Sequence, residues 1–455
     1  MCLKSFGIVL GIALGTAVTV AQNNSKATSI DAYVRPYVET ENFSGVVLVE
    51  ESGRVVFEKA YGFADREKRL RNTRATRFHI ASVSMQFTAA AILRLVDQGS
   101  VMLDEHASNF VQGVEGADKI TIRDLLTERS GLPDINALPN YDDVVLQQHQ
   151  TPTTLIKAIE GKPLLFEPGS KFLHEEHSAY NLLALIVEKK TGLPFATALD
   201  KLVFRPLGLT GSGTDDDSEV NAKCVAKGYE PERLYELKPA KPIHWSAKTG
   251  NASVYTTASD EARWVRALFN GHALSAASRD AALDTTLRVG YGWFKGELKR
   301  FGKTAYYMNG RSPGFSSFVL HFPQAQTTVI LFGNIYSSAT TPMGYDIAAL
   351  SLGLPYEKLR FKDVTLSAEQ LKACIGGFQF GPDFYQANAR VALIANDGEL
   401  SLRWPSGDLS PLLPVEKDRF IDRSYWQDVT IERDRAGKPV ALVYDRFRGT
   451  VSSPQ

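Results

Sequence analysis

Apolar side chains at Met85, Ala89, Ile92, Leu93 and Val96 recur at the spacing of one helical face, behind a short apolar lead of Phe78, Ile80 and Ala81. The pattern predicts an amphipathic helix with Ser82-Val83-Ser84 in its first turn and an end near Gln98-Gly99. Upstream, residues 29–41 read as a helix with Pro36 as a kink. Gly45 to Glu50 and Arg54 to Glu58 flank Glu51-Ser52-Gly53 as a β-hairpin. From Asp104 to about Leu287 the pattern is mostly helix and loop. Within it, Ile120 to Leu126 leads to the turn Ser130-Gly131-Leu132-Pro133, and a strong helix runs from Ser178 to Lys190 before Gly192. Strand patterns return at Ser316–Leu320 and Thr328–Phe332. Strands at both ends with helices between them predict one sheet built from the two termini, an α+β domain.

The pattern changes again near the end of the chain. Leu354 to Val364 reads as a linker, and Ser367 with Gln370 forms a capping box for a short helix through Cys374. Asn396-Asp397-Gly398 is a hairpin turn between Val391–Ile394 and Leu400–Trp404, and Arg435-Ala436-Gly437-Lys438 is another turn between strands. Residues 365–455 are therefore expected to form a small antiparallel β domain, a barrel being one arrangement open to it, following a main domain over residues 22–353.

Composition narrows the function classes. The 455 residues carry 51 basic and 51 acidic side chains, so charge points to neither nucleic acid nor an anionic membrane as partner. Lys4 precedes an apolar segment from Phe6 to Val20, and Thr19-Val20-Ala21 offers a cleavage site before Gln22. Residues 1–21 are expected to be a signal peptide of a secreted or periplasmic protein, and no later stretch is long enough to span a membrane. Cys224 and Cys374 follow that segment; export permits a disulfide, but their placement in different domains favours two buried, unpaired thiols. No cysteine-based metal motif is present.

Ser82 lies in a first helical turn, where free N–H groups and the positive dipole end favour an anion; a serine there is ordinarily an N-cap. Its company is more specific. Ile80-Ala81-Ser82-Val83-Ser84, Leu125-Leu126-Thr127 with Ser130-Gly131-Leu132, and Phe166-Glu167-Pro168-Gly169 are followed by Tyr180-Asn181-Leu182-Leu183, Pro206-Leu207-Gly208-Leu209 and Pro313-Gly314-Phe315-Ser316-Ser317. Together, and in this order over roughly residues 30–350, they resemble the serine β-lactamase and penicillin-binding protein family, especially its class C-like and esterase branch. The resemblance implies an antiparallel sheet flanked by helices, a helical subdomain, and an additional C-terminal β domain of the kind many such proteins carry.

The family's three catalytic motifs are altered. In S-x-x-K, Ser82 stands as nucleophile but Met85 replaces the lysine. Y-x-N, counted back from Tyr180, falls on Glu175-Glu176-His177; counted forward from Pro168-Gly169 it falls on His174 and Glu176. K-T-G or H-x-G becomes Met308-Asn309-Gly310. A serine hydroxyl needs a base to take its proton, and a thioether is none. Three readings follow. In a ligand-binding pseudoenzyme, the pocket takes a small molecule or peptide without turnover, with Met85, Met308, Asn309, Gly310 and Arg311 lining it. In an altered esterase or amidase, Ser82 attacks, His177 is the base, Glu175 or Glu176 orients it, and the resemblance gives an oxyanion hole from the N–H groups of Ser82 and Arg311. In a copper site, Met85, Met308 and His177 are the soft ligands, although methionine in a pocket is ordinarily packing material. The first two readings call for no cofactor or metal.

Overall fold

The structure, a computed structural model, describes residues 25–174, 177–214, 225–358 and 364–452. The signal-peptide segment, Glu175, Glu176 and Cys224 lie outside the described residues. Helix α1 covers 25–39 and runs through Pro36. Strands β1 (Gly45–Glu51) and β2 (Arg54–Tyr61) form the expected hairpin. The serine-bearing run is a 3₁₀ turn, Ala81–Ser84, that continues into α2 (Met85–Asp97). Helix α3 (Ile122–Leu126) has a capping box of Thr121 with Asp124, α4 spans His177–Thr191 and α5 spans Ala258–Phe269.

Strands β3 (Val289–Gly290), β4 (Trp293–Leu298), β5 (Lys303–Ser312), β6 (Phe315–Phe322) and β7 (Thr327–Gly333) complete a seven-stranded sheet of order β3-β4-β5-β6-β7-β1-β2. The antiparallel pairing of β1 with β7, Gly45 opposite Gly333 through Glu51 opposite Thr327, joins the two ends of the domain. Helix α6 (Thr340–Ser351) follows. The pattern at 293–312 and 340–351 announced neither β4 and β5 nor α6. Short strands at Gly213–Thr214, Tyr229–Pro231, Leu237–Pro239 and Val254–Thr256 interrupt the region read as helix and loop.

Every residue of β6 and β7 is buried because both faces of the sheet are covered. On one face, Leu48, Val319, Ile330 and Met308 pack in one cluster with residues of α2, α4 and α5. On the other, Val47, Val49, Phe318, Leu320 and Leu331 pack with Val34 of α1 and Ile347 of α6. Among the described residues, no helix is long and apolar enough to cross a membrane.

The C-terminal domain opens with α7 (Ala368–Lys372), capped by Ser367 and Gln370 as the sequence implied. Strands β8 (Gly376–Gln379), β9 (Arg390–Asn396), β10 (Glu399–Arg403), β11 (Leu409–Glu416), β12 (Arg419–Asp422), β13 (Asp428–Arg433), β14 (Pro439–Tyr444) and β15 (Phe447–Ser452) close into a barrel. Asp397 and Gly398 both take positive φ, +48° and +82°, the geometry that a two-residue hairpin needs. Cys374 is buried with a free thiol. The barrel docks on the first domain through the β12–β13 turn. There the buried Arg423 donates to Asn42 Oδ1 at 2.8 Å, to the carbonyls of Glu41 at 2.6 Å and Glu236 at 3.2 Å, and to that of Arg233.

Candidate functional site

Ser82 is half-buried in the 3₁₀ turn, just after Ala81, whose φ of +49° is a strained, left-handed value. Three bonds from two strands, Val254–Thr256 and β6, hold the turn. The Ile80 N–H donates to Val254 O at 3.0 Å, Ser317 Oγ donates to Ile80 O at 2.6 Å, and the Val254 N–H donates to Ser84 Oγ at 3.1 Å. Ser82 is not an N-cap: the turn begins after Ile80 without a side-chain cap. Among the described residues, the Ser82 hydroxyl has no hydrogen-bond partner.

Strand β5 supplies the opposite wall. Its pairing with β4 ends at Tyr307, so residues 308–312 present an edge unpaired by that strand, against the Ser82 turn. Gly310 is required there by close approach: a Cβ on it would lie 2.8 Å from Ser82 N and 2.7 Å from Ile80 O. The hairpin to β6 turns at Pro313-Gly314, closed by Ser312 opposite Phe315. Antiparallel alternation from that closing pair turns the Arg311 N–H away from β6, toward the unpaired edge. Ser82 and Arg311 thus bring two backbone donors to one side, an arrangement suited to a carbonyl oxygen or oxyanion.

The groups that move protons are displaced from this wall. Met85 follows Ser82 by one helical turn, and Met308 precedes Gly310 on β5; both are 0% exposed within the cluster that holds Ile80 and Val83. Expected to line a ligand site, they instead fill it: a fully buried thioether presents no surface to a ligand. Alternation along β5 puts Asn309 on the opposite face from Met308, where it lines a cleft toward the barrel. The Arg311 side chain is also drawn away. Its guanidinium lies 4.3 Å from the Tyr336 ring centre and 4.0 Å from that of Tyr425, and donates to Ser424 O at 2.7 Å. Of the five residues expected to line the pocket, Gly310 and the Arg311 backbone face Ser82.

His177 opens α4, and its Nδ1 pairs with Asp134 Oδ1 at 3.1 Å. Ser178 Oγ donates to Pro133 O at 2.7 Å and accepts from the Ile135 N–H at 2.9 Å, which ties the Asp134 loop to the start of α4. Among the described residues the acid paired with His177 is therefore Asp134; Glu175 and Glu176, to which the sequence assigned that role, lie outside the described residues. His174 pairs with another acid, Glu128, at 2.8 Å. Burial, with Glu128 nearby, pushes the Tyr180 hydroxyl far above its ordinary value; that hydroxyl donates to Leu126 O at 3.2 Å. Near Asp134 lies Lys248, buried with its ammonium 4.9 Å from the Tyr141 ring centre. Burial pushes Lys248 down to about 8, against the opposing pull of Asp134 and Asp142. Asp134, Glu128 and Lys248 were missed in the sequence. Their signal is faint: an acid directly after Ser130-Gly131-Leu132-Pro133, and one lysine in a run of small and polar residues from Ser246 to Ser253. Among the described residues no group of three or more histidine, cysteine, aspartate or glutamate side chains is placed to hold a metal. His177 Nδ1 is on Asp134, while Met85 and Met308 are both buried in the core cluster.

A family profile described as Beta-lactamase matches residues 30–351. A Bacillus subtilis (strain 168) protein, PbpX, named as a penicillin-binding protein, is 27% identical over 321 residues, covering 70% of this chain and 78% of its own length. A penicillin binding protein from Bacillus halodurans superposes with a TM-score of 0.62 at 25% identity, over 71% of this chain and 98% of that one. The octameric penicillin-binding protein homologue from Pyrococcus abyssi gives a TM-score of 0.64 at 21% identity and covers 93% of this chain and 99% of its own. That likeness extends past the first domain and shows a shared fold.

Proposed function

Because this chain belongs to the beta-lactamase family, we propose that it uses the family's acyl-recognition site for binding rather than turnover. One observation carries the reading. The Ser82 hydroxyl has no partner to take its proton among the described residues, and the side chain one turn on, Met85, is a buried thioether. A positioned general base is worth about 10²–10⁴ in rate, and without one the hydroxyl stays a poor nucleophile. Backbone donors do not depend on side-chain identity. Ser82 and Arg311 can still receive the carbonyl oxygen of an acyl compound or peptide while the hydroxyl remains protonated. The apolar run from Phe6 to Val20 supports a secreted or periplasmic setting, testable by N-terminal sequencing of the exported protein.

The test of binding without turnover is exposure to a fluorophosphonate and to a fluorescent penicillin, followed by intact mass. No adduct is expected on the parent protein, while a panel of acyl-peptides raises its melting temperature. Stoichiometric labelling that disappears in Ser82→Ala would overturn the reading. A second reading is favoured by the Asp134–His177 pair, which has the orienting half of a serine hydrolase relay. It requires labelling of the parent that is lost in His177→Ala and weakened in Asp134→Asn.

A further inference from the structure

Between the open end of the barrel and the first domain lies a cleft of about 470 Å³, on the far side of β5 from Ser82. Its lining combines aromatic rings with uncharged polar groups and includes no charged side chain. The rings are Tyr385, Trp404 and Tyr425, with Trp426 and Tyr444 beside them. Tyr385 is 58% exposed and Tyr425 is 39% exposed, unusual for rings that form edge-on contacts with Tyr444 and Trp404. Their neighbours hold these rings in place: Trp404 Nε1 donates to Ser410 Oγ at 2.9 Å, Tyr385 Oη to Asp445 at 2.6 Å, and Tyr444 Oη to Asp422 at 2.9 Å. What remains available from these rings is mainly ring face.

The polar side chains of the cleft show the opposite condition. Among the described residues, the side-chain amides of Asn309, Gln386 and Gln427 make no hydrogen bond, and they stand on three different segments around the cleft. Each amide offers two donors and an acceptor. Positive charge is also kept out, because the guanidinium of Arg311 is sandwiched between Tyr336 and Tyr425 and bonded to Ser424 O. Fixed ring faces, unspent amides and no charge match a ligand that is apolar on its faces and rich in neutral hydroxyls at its edges. We propose that this cleft binds a short uncharged saccharide, with Tyr385, Trp404 and Tyr425 against the sugar faces and Asn309, Gln386 and Gln427 on its hydroxyls. A proline-rich peptide also stacks on aromatic grooves, but prolines offer carbonyl acceptors and no N–H donor, so they engage the amide donors and leave the amide oxygens unused, whereas hydroxyls engage both.

The site draws on both domains and does not depend on the chemistry at Ser82. The full-length protein is titrated with cellotetraose, maltotetraose, mannotetraose and chitotetraose, followed by tryptophan fluorescence and calorimetry. Decaproline and an oligogalacturonate serve as peptide and anionic comparisons. Saturable binding of at least one neutral tetrasaccharide is expected, weakened tenfold or more in Tyr385→Ala and in Gln386→Ala. Both positions are exposed, and unchanged melting of each variant separates loss of a contact from loss of the fold. The proposal is overturned if no neutral tetrasaccharide binds at millimolar concentration, if both variants bind as the parent does, or if decaproline or the oligogalacturonate binds in preference.

Discussion

Replacing Met85 by lysine returns an amine to the helical turn after Ser82, and Lys248 shows what this interior does to an amine. Burial takes Lys248 from 10.5 down to about 8. At about 1.4 kcal/mol per pH unit, that interval amounts to about 3 kcal/mol against the charged form. Met85 is buried more deeply than Lys248, so a lysine there is expected to lose at least as much. Its folded value then lies below its unfolded one: the penalty is full below about pH 8 and fades as pH rises toward 10.5, because the unfolded chain holds the proton longer. Met85→Lys is expected to unfold in urea about 3 kcal/mol more easily than the parent at pH 7 and to recover part of that loss by pH 10. The neutral amine is also a base beside Ser82, so fluorophosphonate labelling, which the binding reading does not expect in the parent, is expected to appear in the variant and to rise through pH 8. Two results refute the reasoning: a parent protein that labels as fast as the variant, or a folded Met85→Lys that stays unlabelled throughout, which would show that the missing base is not the limiting deficit.

Three further outcomes follow. Burial pushes Glu261 up to about 8 from 4.5, while Gln86 Nε2 donates to its Oε1 at 2.9 Å. The folded protein therefore keeps this proton where the unfolded chain releases it, and stability falls as pH rises from 4.5 to about 8. Glu261→Gln removes that dependence and is expected to gain on the parent by about 1.4 kcal/mol per pH unit between pH 5 and 8; urea midpoints that run parallel would contradict this. In the Met85→Lys background, Gly310→Ala is expected to abolish labelling and cost about 1–3 kcal/mol, since its Cβ would meet Ser82 N at 2.8 Å; retained labelling would count against the backbone-donor geometry. Arg423→Ala leaves buried carbonyls without their donor and is expected to loosen the barrel by about 1–3 kcal/mol, read as faster proteolysis within residues 354–364; unchanged cleavage would show that the barrel docks by other contacts.

The elements most readable from the sequence are those with a sustained apolar run or a committed turn. Asp397-Gly398 could hardly be anything but a hairpin, and the β1–β2 pair and α2 follow their apolar periodicity. The missed elements lack both signals. Strand β5 reads Lys-Thr-Ala-Tyr-Tyr-Met-Asn-Gly-Arg-Ser, with no clean apolar alternation, because its end is shaped by close approach to the Ser82 turn, where Gly310 sits. Helix α6 contains Pro342 and Gly344, poor helix formers. Gly344 serves close packing, since a Cβ there would meet Phe318 Cδ1 at 2.1 Å. In the site, Ser82 and Gly310 were legible because motif order carries them. The Asp134–His177 pair was not, because its partners lie 43 positions apart and meet only through the loop that Ser178 ties to α4.

The shape of the Ser82 turn rests on groups other than the Met85 side chain. The left-handed Ala81 costs about 1–3 kcal/mol, and the bonds that keep it in place use backbone groups and the hydroxyls of Ser84 and Ser317. None of these groups titrates near neutral pH. A lysine at the S-x-x-K position would act on the proton of Ser82 without carrying the turn, and methionine fills similar space without a charge to satisfy. The scaffold can therefore lose proton transfer while still presenting Ser82 and the Arg311 N–H to a carbonyl. On the binding reading proposed above, geometry and acid–base chemistry are separable, and the geometry is the part that Ser82, Gly310 and the Arg311 backbone carry.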